Sequence, residues 1–136
     1  MNSPIHHYFS EDSLKAFIEL LSPYHIRYWI DGGWGTDILT GCQIRKHRSL
    51  DVNVDAMHYH ELLSILHREG FKTVNDTFPV SQELYCPRYG FVNIRPFIFN
   101  ADGSSKHSDG HGGWKEIPAS RIKDAVFAGQ KVKCTQ

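Results

Sequence analysis

Residues 28–55 read YWIDGGWGTDILTGCQIRKHRSLDVNVD, and this stretch decides the fold. The aromatic segment at 27–30 is typical of a short strand, and two glycines follow directly after Asp31. Residues 36–39 indicate a short helix that ends at Gly41. Apolar and polar side chains alternate over 50–54, which predicts a second strand. The stretch therefore predicts a strand, a glycine-rich turn, a helix and a second strand in succession.

The polar side chains of the second strand are expected to share one face, because successive strand residues point to opposite sides. That face carries Asp51, Asn53 and Asp55. Two carboxylates on one strand face would hold Mg²⁺ against a triphosphate, but here the middle residue is an amide. Asp55 lies about 13 Å along the strand from Asp51, so it cannot replace Asn53 in one metal shell. Taken alone, the pattern is also typical of a solvated strand face.

The glycine pair Gly32 and Gly33 leaves two interpretations open. Glycines before a helix let backbone amides approach a phosphate, and the helix N-terminus adds positive potential. A tight strand-to-helix turn needs glycines for steric reasons of its own.

The rest of the chain predicts a mixed α/β domain. Ser10 begins a helix over 11–21, and a second amphipathic helix covers 59–69. We predict strands at 71–74, 82–86, 91–99, 114–117 and 130–134, a loop or long hairpin turn at 100–113, and one or two helical turns within 120–128. The order predicts one α+β domain over 1–136 with a largely antiparallel sheet flanked by helices.

Composition excludes several classes of protein. The 136 residues contain 15 basic and 15 acidic side chains, so the formal net charge is zero. A nucleic-acid partner would favour a basic excess, and none is present. No apolar run approaches the roughly 20 residues that span a bilayer, and the first residues lack the pattern of a secretory signal. We expect a cytoplasmic protein without a membrane partner.

Residues 28–55 resemble the small antibiotic nucleotidyltransferases. The resemblance is closest to the lincosamide nucleotidyltransferases and more distant to the aminoglycoside-2''-adenylyltransferases. Their pattern is a strand W-[IL]-x-G-G-W-[AG]-x-D, a loop G-x-x-x-R-x-H and a strand D-h-D. The matching residues here are Trp29, Gly32, Gly33, Trp34, Gly35, Asp37, Gly41, Arg45, His47, Asp51 and Asn53. Residues 82–84, 89–96 and 100–103 continue the resemblance, which covers about residues 10–134.

The resemblance implies the nucleotidyltransferase fold, Mg²⁺, a nucleoside triphosphate donor and transfer of a nucleotidyl group to a hydroxyl of a lincosamide or aminoglycoside. It implies that the nucleotide is bound by Gly32, Gly33, Asp37, Arg45, His47 and Arg48. It also implies a substrate cleft lined by Trp34, Tyr89 and Arg95, although core packing is the commoner role of an aromatic such as Trp34. Relatives continue into a C-terminal helical segment, and an uncovered apolar sheet face here would favour a homodimer.

The sequence departs from the family pattern at the residues that are expected to carry out the reaction. The second metal carboxylate of the pattern falls at Asn53, and the third, the expected general base, falls at Asn93. Asp51 alone remains of the three catalytic carboxylates. A neutral amide is a weak ligand for Mg²⁺ and cannot accept a proton as a base. Glu83, on a neighbouring predicted strand, is the acid that would replace the missing base.

Three interpretations stay open at this point. The chain is a transferase, active or recently active, that uses Asp51 with help from Glu83 or Asp55, or a degenerate homologue that binds a nucleotide or small molecule without turnover. In a third, the asparagines were introduced to trap a complex. Arg95 and Ser49, where the pattern has a histidine and an acid, favour natural drift. The loss of negative charge would let Arg45, Arg48 and Arg95 hold an anion beside Asp51.

Overall fold

The structure is a computed structural model that describes residues 8–41 and 46–135. Within these ranges the chain forms three α-helices and nine strands. In chain order they are α1 (Glu11–Leu21), β1 (Tyr28–Asp31), α2 (Gly32–Thr40), β2 (Ser49–Asp55), α3 (Tyr59–Glu69), β3 (Lys72–Asp76), β4 (Gln82–Cys86), β5 (Gly90–Phe99), β6 (Ser105–Ser108), β7 (Trp114–Ile117), β8 (Lys123–Phe127) and β9 (Gln130–Cys134). Short 3₁₀ helices lie at Ala56–His58 and Ala119–Arg121.

The sheet is mixed. Its main path runs β3-β4-β5-β2-β1-β9-β8, and β6 pairs with both β5 and β7. The pairs β2–β5 and β1–β9 are parallel, and the other pairs are antiparallel. The predicted mixed fold with a largely antiparallel sheet flanked by helices is confirmed.

The core lies between the helices and one face of the sheet. Leu50, Val52 and Val54 of β2 are fully buried, and they belong to one apolar cluster with side chains of α1 and α3. Helix α1 begins where the sequence predicts, because the Ser10 hydroxyl accepts the Ser13 N–H at 3.0 Å. The intervening polar residues of β2 therefore face away from the helices.

Helix α2 begins earlier than the sequence predicts. The Asp31 carboxylate accepts the Gly32 N–H at 2.8 Å and caps the helix. Both glycines of the predicted turn therefore form the first helical turn. The predicted loop at 42–49 lies partly outside the described residues, and Arg45 is among those outside.

Two predictions in the C-terminal third are wrong. Strand β6 interrupts the segment predicted as a loop or long turn. Residues 120–128 are not helical beyond Arg121, because β8 forms an antiparallel hairpin with β9. The two-residue turn of this hairpin has positive φ at Ala128 (50°) and Gly129 (79°), the geometry that matches strand twist.

None of the helices in the described part of the chain is long and apolar enough to cross a membrane.

Candidate functional site

Strand register brings five polar side chains to one face of the sheet. The antiparallel pairing of β1 and β2 sets Asp31 opposite Asp51. The parallel pairing of β2 and β5 sets Asn93 beside Asp51 and Arg95 beside Asn53. We call these five residues the polar strand face. Asp31 is the last residue of β1 and directly precedes α2.

Both asparagines of this face point their NH₂ groups at carboxylates. The Asn53 Nδ2 donates to Asp31 Oδ2 at 3.0 Å. The Asn93 Nδ2 donates to Asp51 Oδ1 at 3.1 Å and lies 3.2 Å from the Ser49 Oγ. Each carboxylate is therefore satisfied in part by an amide of the chain itself.

The amide of Asn53 is held in this orientation by charge. The residue is fully buried, and its Oδ1 has no hydrogen-bond partner among the described residues. Rotating the amide by half a turn would place that oxygen against the Asp31 carboxylate, and two acceptors would face each other. The unpaired oxygen costs less free energy than the rotated amide would, because rotation would lose the hydrogen bond to the charged Asp31 carboxylate.

Arg95 supplies a positive charge to the polar strand face. Its Nη2 lies 3.7 Å from Asp51 Oδ1, and about a third of its side chain is exposed. Burial would raise the pKa of Asp31, but hydrogen bonds from Gly32 and Asn53, together with the charge of Arg95, hold that pKa below its usual value. One guanidinium therefore acts on both carboxylates of the face.

A second ion pair lies beside this face. Glu83 of β4 is the register partner of Asn93, and its carboxylate accepts from the Arg48 Nη1 at 2.8 Å. The Arg48 guanidinium also stacks 4.1 Å above the Phe91 ring. Glu83 is close enough to the site to be considered as a base, but it is already engaged by a cation.

The side chains of Asp51 and His47 leave no room for a Cβ atom at Gly32 or Gly33. A Cβ on Gly32 would lie 2.2 Å from Asp51 Oδ2, and its φ of +64° favours glycine. A Cβ on Gly33 would lie 2.4 Å from the His47 ring. The glycines therefore let α2 approach the polar strand face closely, and their role in binding a nucleotide stays a prediction.

Two residues predicted to bind the nucleotide contact each other, and their role in nucleotide binding stays a prediction. The Nε2 of His47 lies 2.5 Å from Asp37 Oδ2, and both side chains are at most a tenth exposed. The His47 ring also packs edge-on against Trp34 with centroids 5.3 Å apart. This buried pair ties the start of the β2 segment to α2.

Two residues predicted to line a substrate cleft are core residues. Trp34 is 2% exposed, and its Nε1 donates to the Phe9 carbonyl at 2.9 Å. Tyr89 is 1% exposed, and its hydroxyl donates to Glu69 Oε2 at 2.6 Å. The cleft assignment was wrong for both because their aromatic rings complete the packing of the core. Arg95 lies on the polar strand face, and its role in binding a substrate stays a prediction.

The donor set does not fit the magnesium ion that the resemblance implies. Mg²⁺ requires anionic oxygens with open approach, whereas Asp31 and Asp51 each face an amide NH₂ and Asp51 also faces a guanidinium. Over residues 8–41 and 46–135, no three histidine, cysteine or acidic side chains lie close enough together to hold a metal ion by themselves. We therefore assign no magnesium ion to this face.

Sequence reasoning missed Asp31. It occupies the variable position of the W-[IL]-x-G-G pattern, so the resemblance gave it no role. The signal was its place at the end of a strand directly before two glycines, where an aspartate caps the helix that follows. Only strand register shows that the same side chain also faces Asp51.

Comparison with known proteins agrees with this architecture. The family model of the aminoglycoside-2''-adenylyltransferases matches residues 13–136. A lincosamide resistance protein of Staphylococcus haemolyticus is 32% identical over 125 residues, which are 92% of this chain and 78% of the relative.

Two solved structures superpose on the chain. The lincosamide antibiotic adenylyltransferase LnuA, with lincomycin bound, has a TM-score of 0.85 and 31% identity, covering 95% of this chain and 82% of that one. ANT(2'')-Ia in complex with adenylyl-2''-tobramycin has a TM-score of 0.71 and 18% identity, covering 93% and 68%, and shares the fold. The chain therefore belongs to the aminoglycoside-2''-adenylyltransferase family, among the lincosamide and aminoglycoside nucleotidyltransferases.

Proposed function

We propose that this protein binds a nucleotide and a lincosamide-like antibiotic at the polar strand face, and that its nucleotidyl transfer is severely impaired. One observation carries the proposal: Asn53 and Asn93, where the family pattern has carboxylates, are neutral amides that donate hydrogen bonds to Asp31 and Asp51. Under this proposal the family fold provides the binding cleft, and two amides have removed the charges needed for turnover.

The chemistry of transfer explains the impairment. A hydroxyl of the acceptor attacks the α-phosphorus of the donor, the bond to pyrophosphate breaks, and the hydroxyl proton must pass to a base. Asn93 cannot take that proton, because an amide has no basic lone pair at neutral pH. A correctly placed base contributes roughly 10²–10⁴ in rate. The loss of anionic metal ligands adds to the deficit.

Ligand binding needs fewer of the family's charged groups than nucleotidyl transfer does. Arg95 lies on the polar strand face and Arg48 beside it, with their side chains 32% and 61% exposed, and guanidinium groups bind phosphate through paired hydrogen bonds. The likeness to LnuA over most of both chains supports a lincosamide as the second ligand.

The test is calorimetric binding and a transfer assay on the natural chain and on the triple variant Asn53→Asp, Asn93→Asp, Arg95→His, which restores the family pattern at these three positions. We expect lincomycin and ATP to bind to the natural chain, with transfer at least about 100-fold slower than in the triple variant. Equal transfer rates in the two proteins would contradict the proposal. Failure of both ligands to bind to either folded protein would also contradict it.

A second candidate function is an active transferase in which Glu83 replaces the base. The observation in its favour is that Glu83 is the register partner of Asn93 and is one fifth exposed. If this candidate is correct, the natural chain transfers a nucleotidyl group and Glu83→Gln abolishes the transfer. The matched control is Glu116→Gln on the exposed strand β7, which should leave the rate unchanged.

A further inference from the structure

We infer that the Arg95 guanidinium takes the place of a divalent cation at Asp31 and Asp51, so that this site binds phosphate without metal. The part that concerns phosphate rests on the proposed function. The part that concerns the cation does not, because it can be measured with a metal ion alone.

The position of Arg95 is the first support. Asp31 and Asp51 are opposite each other on paired strands, and their side chains share one face of the sheet. Arg95 comes from the strand on the other side of β2, and its Nη2 lies 3.7 Å from Asp51 Oδ1. Its charge also helps to keep the pKa of Asp31 low. A cation that serves two carboxylates is the role a metal ion would have there.

The neighbours of Arg95 are the second support. Asn53, its register partner, is fully buried and has an unpaired Oδ1. The Asn53 NH₂ group meanwhile faces Asp31. The amide is therefore committed as a donor to Asp31 and supplies no anionic ligand for a metal ion.

A divalent ion and Arg95 exclude each other at this place. A metal ligated by Asp51 would lie within a few ångströms of the guanidinium, and like charges at such a distance repel strongly in a partly buried site. Mg²⁺ also loses bound water reluctantly and needs near-octahedral geometry, which the two amide NH₂ groups obstruct. The double change Asn53→Asp, Asn93→Asp alone would leave Arg95 in competition with the metal.

The exposed part of Arg95 remains free to meet a ligand. A third of the side chain is accessible, and Arg48, 61% exposed, lies beside the same face. A planar guanidinium binds two phosphate oxygens at once. The ligand class is therefore a nucleoside triphosphate or another phosphate ester, held by arginine rather than by a metal.

The first experiment titrates Mn²⁺ alone and follows the loss of its free-ion spin resonance signal. The samples are the natural chain and the variants Arg95→Gln and Arg95→Lys, since glutamine removes the charge and lysine keeps it. We expect Arg95→Gln to bind Mn²⁺ about tenfold or more tighter than the other two, because it frees the two carboxylates from a like charge. Equal affinity of the glutamine and lysine variants would overturn the inference, as would tight Mn²⁺ binding by the natural chain.

The same titration on the Asn53→Asp, Asn93→Asp background sharpens the result. There Arg95→Gln should again exceed Arg95→Lys about tenfold. Equal binding of Mn²⁺ by the two variants would contradict the inference. Thermal unfolding of every variant checks that the comparison is made on folded protein, and the single variants decide the matter if the triple ones do not fold.

The second experiment measures ATP binding to the natural chain by calorimetry, once with excess Mg²⁺ and once with EDTA. We expect equal affinities, and a loss of about tenfold or more in Arg95→Gln. The control is Arg68→Gln on the exposed surface of α3, which should bind as the natural chain does. Binding that requires Mg²⁺ would overturn the inference. Absence of ATP binding in both buffers would overturn its phosphate part and count against the proposed function, and Mn²⁺ would then decide the role of Arg95.

Discussion

The side chains on the two faces of strand β2 are constrained by different interactions, close packing on one face and hydrogen bonds on the other. Leu50, Val52 and Val54 face the helices and are fully buried, so their shape and volume are constrained by close packing. Asp51 and Asn53, the residues between them, face β1 and β5 partners through hydrogen bonds. A carboxylate and an amide have nearly the same shape, so this face can change its charge while the packed face stays the same. Substitutions on the polar face of this strand can therefore change the reaction chemistry while the packed face keeps the fold.

The largest expected effect comes from a polar group placed on the packed face. Val52→Asn would bury an amide against the helices without a partner, which should lower the free energy of unfolding by about 2–4 kcal/mol. The matched change one residue away is Asp51→Asn, which keeps shape and can still accept from Asn93, so we expect at most about 1 kcal/mol. Urea unfolding of both variants measures the difference. Similar losses would show that the two faces are not constrained differently.

A second comparison separates close packing from backbone strain. Gly33→Ala would place a methyl group 2.4 Å from the His47 ring, which Asp37 and Trp34 hold in place, so we expect a loss of about 1–3 kcal/mol. The control is Gly41→Ala, where φ is +77° and nothing lies within 4 Å, and where strain alone should cost about 1 kcal/mol. Thermal unfolding compares the two. A milder effect at Gly33 would mean that the His47 ring moves aside.

We expect a smaller loss of stability when the buried pair of Asp37 and His47 is disrupted. Asp37→Asn removes the charge beside His47 while both side chains stay buried, and we expect a loss of about 1–2 kcal/mol. Asp124→Asn is the control, because the pair of Asp124 and Lys133 lies on the exposed hairpin and exposed pairs contribute little. The unfolding midpoint of the control should not change. Equal shifts would contradict the view that the Asp37 pair ties β2 to α2.

The sequence predicted the fold where local signals and periodicity agree. The helices α1 and α3 have the predicted bounds because each carries an apolar stripe and a clear end signal, Ser10 at one and Gly70 at the other. The 120–128 segment failed for the opposite reason. Its strand character depends on pairing with β9, and its turn at Ala128 places a non-glycine residue at positive φ, which local propensity does not indicate.

The sequence placed some side chains of the polar strand face correctly but indicated none of their contacts. The alternation in β2 correctly put Asp51 and Asn53 on one face, and Glu83 does lie on a neighbouring strand. The direction of each amide depends on which strand supplies the opposite carboxylate, and that is a matter of register. Asp31 was missed for this reason, and Tyr89 was misplaced because its ring packs on the helix side of the sheet.

The smallest effect concerns the pH dependence of stability. Since the pKa of Asp31 is lower folded than usual, its stabilising contribution is complete above its unfolded pKa and is lost as pH falls through its folded pKa. Asn53→Ala removes one donor, so the folded pKa should rise and the loss of stability on acidification should become shallower. Urea unfolding across the acid range gives this slope, which is independent of the cavity that the substitution leaves. Asp31→Asn should flatten the slope further, and a slope unchanged in Asn53→Ala would mean that the amide does not stabilise the carboxylate.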